Sequence, residues 1–170
     1  MTHRGPLFRR YEKNPLLKPE DWPYPTAAVF NPAAVEHDGE ILLLVRVEDL
    51  RGFSHLTVAR SKDGKRGWHI DPTPTFAPDL ALGEEVWGVE DPRVVWLEDH
   101  EEYAVTYVSF SRGGPMVSLA MTNDFQTFRR MGTLLPPEDK DASLFPRLIN
   151  GRYILLHRPI IRGEAHIWIS

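Results

Sequence analysis

Apolar and polar positions follow one another along this chain in short bursts, without the stripes that a helix leaves. Glu40-Ile41-Leu42-Leu43-Leu44-Val45-Arg46-Val47 and Arg152-Tyr153-Ile154-Leu155-Leu156-His157-Arg158 are compact apolar runs that reach a cation. No window of about a dozen residues repeats its apolar positions at the helical period. Runs of this length, flanked by turn residues, read as strands with both faces buried. His37-Asp38-Gly39, Lys62-Asp63-Gly64 and Asn150-Gly151 supply the turns and mark hairpins. Gly113-Gly114 beside Arg112 reads as another hairpin turn, with a loop at a cleft rim as the alternative. Upstream, Pro6, Pro15, Pro19, Pro23 and Pro25 each fix φ and remove an amide donor. Residues 1–26 are therefore expected to be an extended leader without a regular element, and the fold class is all-β.

Internal repetition suggests the architecture. Asn31-Pro32, Asp91-Pro92 and Phe145-Pro146 each open an apolar strand that is followed by a turn and a second strand. A small residue, a hydroxyl and an aspartate recur in Ala59-Arg60-Ser61-Lys62-Asp63 and Ala120-Met121-Thr122-Asn123-Asp124, with Trp68 after the first and Phe125 or Phe128 after the second. Multi-stranded units at this spacing are the mark of propeller blades, whose sheets pack face to face around an axis. The blade units are expected at about 27–80, 86–136 and 141–170, with 27–170 forming a partial β-propeller catalytic domain. A β-sandwich with chance similarity between hairpins is the alternative. A closed propeller needs at least ~4 blades, and two and a half to three leave an incomplete ring. The expectation is that the chain is the N-terminal part of a longer protein, or that another chain supplies the rest.

Composition narrows the chemistry. Lysines and arginines number 20 against 24 acidic residues, interspersed and without basic blocks, so nucleic acid is not an expected partner. The absence of cysteine removes disulfides, thiolate metal sites and a cysteine nucleophile. The seven histidines form no H-x-x-x-H pair and the carboxylates lack calcium-loop spacing, so no metal is expected. No apolar run approaches the ~18 residues of a membrane span and the N-terminus lacks a signal-peptide core. The expectation is a cytoplasmic protein that does not bind membranes. Exposed blade edges leave room for a homo-oligomer.

Equivalent positions of successive blades converge on one channel mouth, and here those positions are polar. Gly88-Val89-Glu90-Asp91-Pro92-Arg93 places two carboxylates and a guanidinium around a proline. A Glu90–Arg93 salt bridge beside a turn-capping Asp91 is one reading. The other makes Asp91 a general acid, desolvated on the floor of a cleft. Arg46 followed by Glu48 and Asp49, Lys140 with Asp141, and His157 with Arg158 stand at matching places. Each is either a solvated strand end or part of a cradle in which converging cations bind an anion.

Taken in order, Phe30-Asn31-Pro32-Ala33-Ala34, Arg46-Val47-Glu48, Ser61-Lys62-Asp63-Gly64, Gly88-Val89-Glu90-Asp91-Pro92-Arg93, Thr122-Asn123-Asp124-Phe125, Asp139-Lys140-Asp141, Leu144-Phe145-Pro146 and Leu156-His157-Arg158-Pro159 resemble glycoside hydrolase family 130. This is the family of β-mannoside phosphorylases and related β-mannosidases, and the resemblance runs from about Asn14 to Ser170. It implies a five-bladed propeller of roughly twice this length. It also implies inverting cleavage of a β-mannoside by inorganic phosphate, giving α-mannose 1-phosphate. Asp91 takes the place of the family's general acid, whose proton passes through a hydroxyl of the mannosyl ring. Arg46, Lys140, Arg158 and His157 fall at phosphate-binding positions, and Asn31, Glu48, Glu90, Arg93 and Asp141 are the substrate-binding candidates. The expected partners are a small oligosaccharide or other mannoside and phosphate, the latter as co-substrate with no cofactor.

Phosphate arrives already anionic and needs only positioning, whereas an inverting hydrolase needs a second carboxylate ~6.5 to 9.5 Å from the acid. Glu48, Asp49, Glu90 or Asp141 are available for that part, so a β-mannosidase remains an alternative. A non-catalytic carbohydrate-binding truncated propeller, with Trp87 and Phe53 as sugar platforms, is a second. A furanoside-cleaving propeller of related architecture is a third.

Overall fold

The computed structural model describes residues 7–170. Twelve strands carry the fold, and the described residues contain no α-helix. β1 (Ala28–His37), β2 (Glu40–Glu48), β3 (Ser54–Ser61) and the short β4 (His69–Ile70) form one antiparallel unit in sequence order. β5 (Gly88–Leu97), β6 (Glu102–Ser111), β7 (Gly114–Thr122) and β8 (Arg129–Leu135) repeat it. β9 (Asp139–Leu144) and β10 (Leu155–Ile161) open a third, in which β10 also pairs with β11 (Glu164–Ala165) and β12 (Trp168–Ile169). β5, the first strand of its unit, packs against both β1 and β9. The fold is all-β, an incomplete propeller of four-stranded sheets.

Face-to-face stacking explains the apolar runs. Leu42, Leu44, Leu56 and Val58 of the first unit and Val89, Val105, Tyr107 and Phe125 of the second belong to one buried cluster. Strands at this boundary must be apolar on both faces. β10 differs: it starts at Leu155, later than the Arg152 expected from the apolar run, and its Leu156 is exposed.

Pro32 and Pro92 sit inside strands and do not open them. Phe30 pairs with Arg46 and Ala33 with Leu44, so Asn31-Pro32 face one residue of β2. Glu90 pairs with Val108 and Arg93 with Thr106, giving the same bulge at Asp91-Pro92. A proline is tolerated there because a bulge leaves a residue outside the ladder. In the third unit Lys140 pairs with Arg158 and Ser143 with Leu156, so the bulge falls at Asp141-Ala142. Phe145-Pro146, expected to open the third strand, lies beyond its end. Asn31, Asp91 and Asp141 all have positive φ, 47°, 47° and 56°. Left-handed backbone is costly for most side chains and least so for Asn and Asp.

The leader is not free of regular structure. Pro19–Asp21 form a single 3₁₀ turn, with Pro19 at a first position where its missing amide costs nothing. Trp22 is then buried against Val45, Val47 and Ala59, which fixes the leader to the first unit. The first six residues lie outside the described part. Lys62-Asp63-Gly64 belongs to a longer loop between β3 and β4, in which the Ser61 hydroxyl donates to the Arg66 carbonyl at 2.6 Å. Thr122 does the same to Thr127 at 2.7 Å. No helix of the described residues is long and apolar enough to cross a membrane.

Candidate active site

The bulges aim polar side chains at one place. Arg46, near the end of β2, donates from Nη1 to Asp91 Oδ1 at 3.0 Å, reaches Glu90 Oε1 with Nη2 at 2.9 Å, and donates from Nε to Ser54 Oγ at 2.9 Å. Asn31 donates from Nδ2 to the same Asp91 oxygen at 3.0 Å. The guanidinium lies 4.5 Å from the centre of the Phe30 ring. Arg46, Glu90 and Asp91 are all largely shielded from water, where charge-assisted bonds count for more than at an open surface. The two residues at matching bulge positions in units one and two, Asn31 and Asp91, thus form one cluster with Glu90 and Arg46.

Burial pushes the Glu90 carboxyl above its ordinary range, and the neighbouring Asp91 and Glu48 add to this against the opposing pull of Arg46 and Lys140. Glu48 therefore acts on the cluster through its charge. Glu90 does not pair with Arg93, whose Nη1 instead donates to the Pro92 carbonyl at 2.8 Å. The bulge turns the two side chains into different directions, so the salt bridge suggested by sequence adjacency does not form.

The third unit brings its residues together differently. Arg158 donates from Nε to Asp141 Oδ2 at 2.6 Å. His157 is buried, with Nδ1 2.6 Å from Asp139 Oδ2 and Nε2 2.9 Å from Ser170 Oγ. Both ring nitrogens are engaged by protein atoms. Lys140 has no ion-pair partner among the described residues and lines a cleft of about 460 Å³ together with Glu90, Trp87, Arg112 and Gly114. Arg112 and its glycines, read from sequence chiefly as a hairpin turn, therefore stand at a cleft rim that includes Glu90.

A second cleft, of about 570 Å³, adjoins the cluster on the side of the first unit. Its lining includes Ser54 and Gly88 with Tyr24, Phe53, His55 and Leu80. The His55 ring nitrogen Nε2 lies 3.0 Å from the Tyr24 hydroxyl, and burial holds the imidazole below its ordinary pKa.

One polar cluster escaped sequence reasoning. Glu85 is 1% exposed, and its carboxylate accepts from Tyr107 Oη at 2.8 Å, Arg130 Nε at 3.0 Å and the Asp79 amide at 2.7 Å. Burial and Glu85 push the Tyr107 hydroxyl strongly upward. The Arg130 guanidinium also covers the Phe76 ring at 4.1 Å. Nothing in Leu82-Gly83-Glu84-Glu85-Val86 distinguishes one acid from its neighbour. No group of three or more histidines and acids among the described residues is placed to hold a metal ion.

An inner-strand carboxylate held by an arginine, in a stack of four-stranded sheets, defines the class: a partial β-propeller with a polar cluster near the starts of its inner strands. Residues 3–170 match the family model of glycoside hydrolase family 130, described as beta-1,4-mannooligosaccharide phosphorylase, and the chain belongs to that family. It is 30% identical to the beta-1,2-mannobiose phosphorylase of Listeria innocua over 95% of this chain and 61% of that protein. It is 34% identical to the beta-1,4-mannooligosaccharide phosphorylase of Ruminococcus albus over 92% of this chain and 48% of that one. The solved Listeria enzyme with beta-1,2-mannobiose superposes with a TM-score of 0.83 at 29% identity, covering 94% of this chain and 61% of that chain. A solved structure from work on family 130 glycoside hydrolases that target beta-1,2 mannosidic linkages in Candida mannan gives 0.78 at 25% identity, over 95% and 54%. The chain thus spans between about half and three fifths of the length of these relatives. A thermostable family-43 glycoside hydrolase, at 18% identity and a TM-score of 0.59, shares the fold alone.

Proposed function

We propose that this chain carries the acid-bearing part of a β-mannoside phosphorylase, which cleaves with inversion and releases α-mannose 1-phosphate. The observation that carries the reading is the convergence of Asn31 and Arg46 on a single oxygen of Asp91. With Oδ1 occupied by two donors, Oδ2 is the oxygen left to face the substrate. In the reaction, phosphate oxygen forms a bond to the anomeric carbon as the bond to the departing sugar's oxygen breaks. The proton from Asp91 goes to that oxygen, by way of a mannosyl hydroxyl as in the family.

Arg46 has every one of its nitrogens against a protein acceptor, so we assign it to orienting Asp91. Lys140 and Arg158 are the cations that offset phosphate charge, Arg158 oriented by Asp141, and His157 secures the strand that carries it. Electrostatic stabilisation of this kind needs fixed donors and no cofactor. The names of the relatives support phosphate as co-substrate and mannosides as substrates. The proposed location is the cytoplasm, without nucleic acid or membrane partners.

The test uses the full-length protein with a β-linked manno-oligosaccharide, with and without phosphate. Mannose 1-phosphate should form only with phosphate, and Asp91→Asn should lower the rate by at least about a hundredfold while sugar binding persists. Equal release of free mannose in both conditions would overturn the proposal.

A further inference from the structure

Two clefts flank the Arg46–Asp91 pair and differ in character. The smaller carries Lys140 and Arg112. The larger carries Phe53, 38% exposed, and Leu80, 75% exposed, with Tyr24 and His55 at its base. They are joined to the acid by short paths. Ser54 lines the larger cleft and accepts from Arg46 Nε, while Gly88 lies two residues before Glu90 and lines it as well.

Resting on the phosphorylase reading, we propose that the larger cleft receives the leaving-group saccharide, with Phe53 as its platform, Leu80 as the facing wall and Glu85 as the residue that holds that wall in place. A pyranose presents a flat C–H face and a rim of hydroxyls. Phe53 supplies the matching apolar plane on the ring face away from Arg51, whose guanidinium lies over the other face 5.4 Å from the ring centre as a neighbouring donor. Arg51 is itself tied to Asp49 Oδ2 at 2.7 Å, which keeps the donor beside the ring. The volume, about 570 Å³, lies within the ~300–1,000 Å³ typical of small-ligand sites. The lining segment from Pro74 through Val86 has almost no strand pairing, and an irregular segment of this kind needs another source of rigidity. Glu85 provides it from inside, accepting from the Asp79 amide next to Leu80 and from Arg130 and Tyr107 of the second unit.

The division follows from electrostatics. Phosphate belongs on the side of Lys140, and a neutral sugar belongs on the apolar side. Inversion requires phosphate and the leaving saccharide to stand on opposite faces of the anomeric carbon, and separate clefts for the two suit that requirement.

The experiment measures steady-state phosphorolysis by the full-length protein on β-linked mannosides of two, three and four units, with phosphate varied separately. Phe53→Ala and Leu80→Ala change exposed side chains. Each should raise KM for the saccharide by about fivefold to tenfold, as expected for losing one partly buried apolar contact, with the largest effect on the longer substrates. KM for phosphate should stay within twofold, which also reports that the variants are folded. Glu85→Gln should raise KM for saccharides more than it lowers kcat. Unchanged saccharide KM values in Phe53→Ala and Leu80→Ala, with an active unaltered enzyme, would overturn the placement alone. Absence of any phosphorolysis by the unaltered protein would overturn the underlying reading together with it.

Discussion

Arg46 is the residue on which the candidate site turns, because one guanidinium spans Glu90, Asp91 and Ser54. Two carboxylates held this close need such a bridge, since each otherwise raises the other's affinity for a proton. Glu90 shows the result of burial combined with that proximity. Its carboxyl is raised in the folded protein, so its contribution to stability is fully present below the unfolded value of 4.5 and is lost as pH rises through the folded value. Glu90→Gln lacks this loss. The difference in melting temperature, variant minus wild type, should therefore be more positive at pH 7 than at pH 4, and thermal unfolding at the two pH values checks it. The identities of these residues were legible in the sequence, but their partners were not. Glu90 and Arg93 are close along the chain and the bulge separates them, whereas Arg46 is 45 positions from Asp91 and only the register of β1 on β2 and the docking of β5 bring them together.

At the scale of elements, the alternation of apolar runs and turn residues was enough to identify the strands, because strands packed on both faces leave little choice of residue. The boundaries of the third unit were misplaced for a physical reason. Proline marked the bulge in β1 and β5 but is absent from it in β9, where Asp141-Ala142 adopts the same geometry. The constant feature is a left-handed Asn or Asp, which proline only accompanies. The junction between the first two units depends on Gly88. Its φ is 128°, and a Cβ there would lie 2.8 Å from the backbone nitrogen and oxygen of Ser54, with which it forms a parallel bridge. Gly88→Ala should cost about 2–3 kcal/mol by separating β3 from β5, as read by urea unfolding. It should also reduce activity, because Glu90 and Asp91 follow directly on the same strand.

Across the whole molecule, the cohesion of the first two units has an apolar part and an ionic part. The apolar part could be anticipated, since the cluster that includes Leu44, Val58 and Val105 comes largely from the apolar strand runs. The ionic part could not, because Glu85 and Arg130 are unremarkable in sequence and their worth comes from being enclosed. Glu85→Ala would leave Arg130 and the Tyr107 hydroxyl without their acceptor. A loss of about 3–5 kcal/mol is expected by chemical denaturation, well above that for Glu84→Ala at the half-buried neighbouring position.

The bulges have one more consequence. Two residues facing one at Asn31-Pro32, at Asp91-Pro92 and at Asp141-Ala142 put the inward and outward positions out of step on either side. Each innermost strand thereby has a seam. Ahead of it, side chains such as Glu90 and Lys140 answer to whatever molecule occupies the opening; after it, side chains such as Ala33 and Val94 answer to the neighbouring sheet. Changes of specificity can accumulate on one side while the packing on the other side stays as it was.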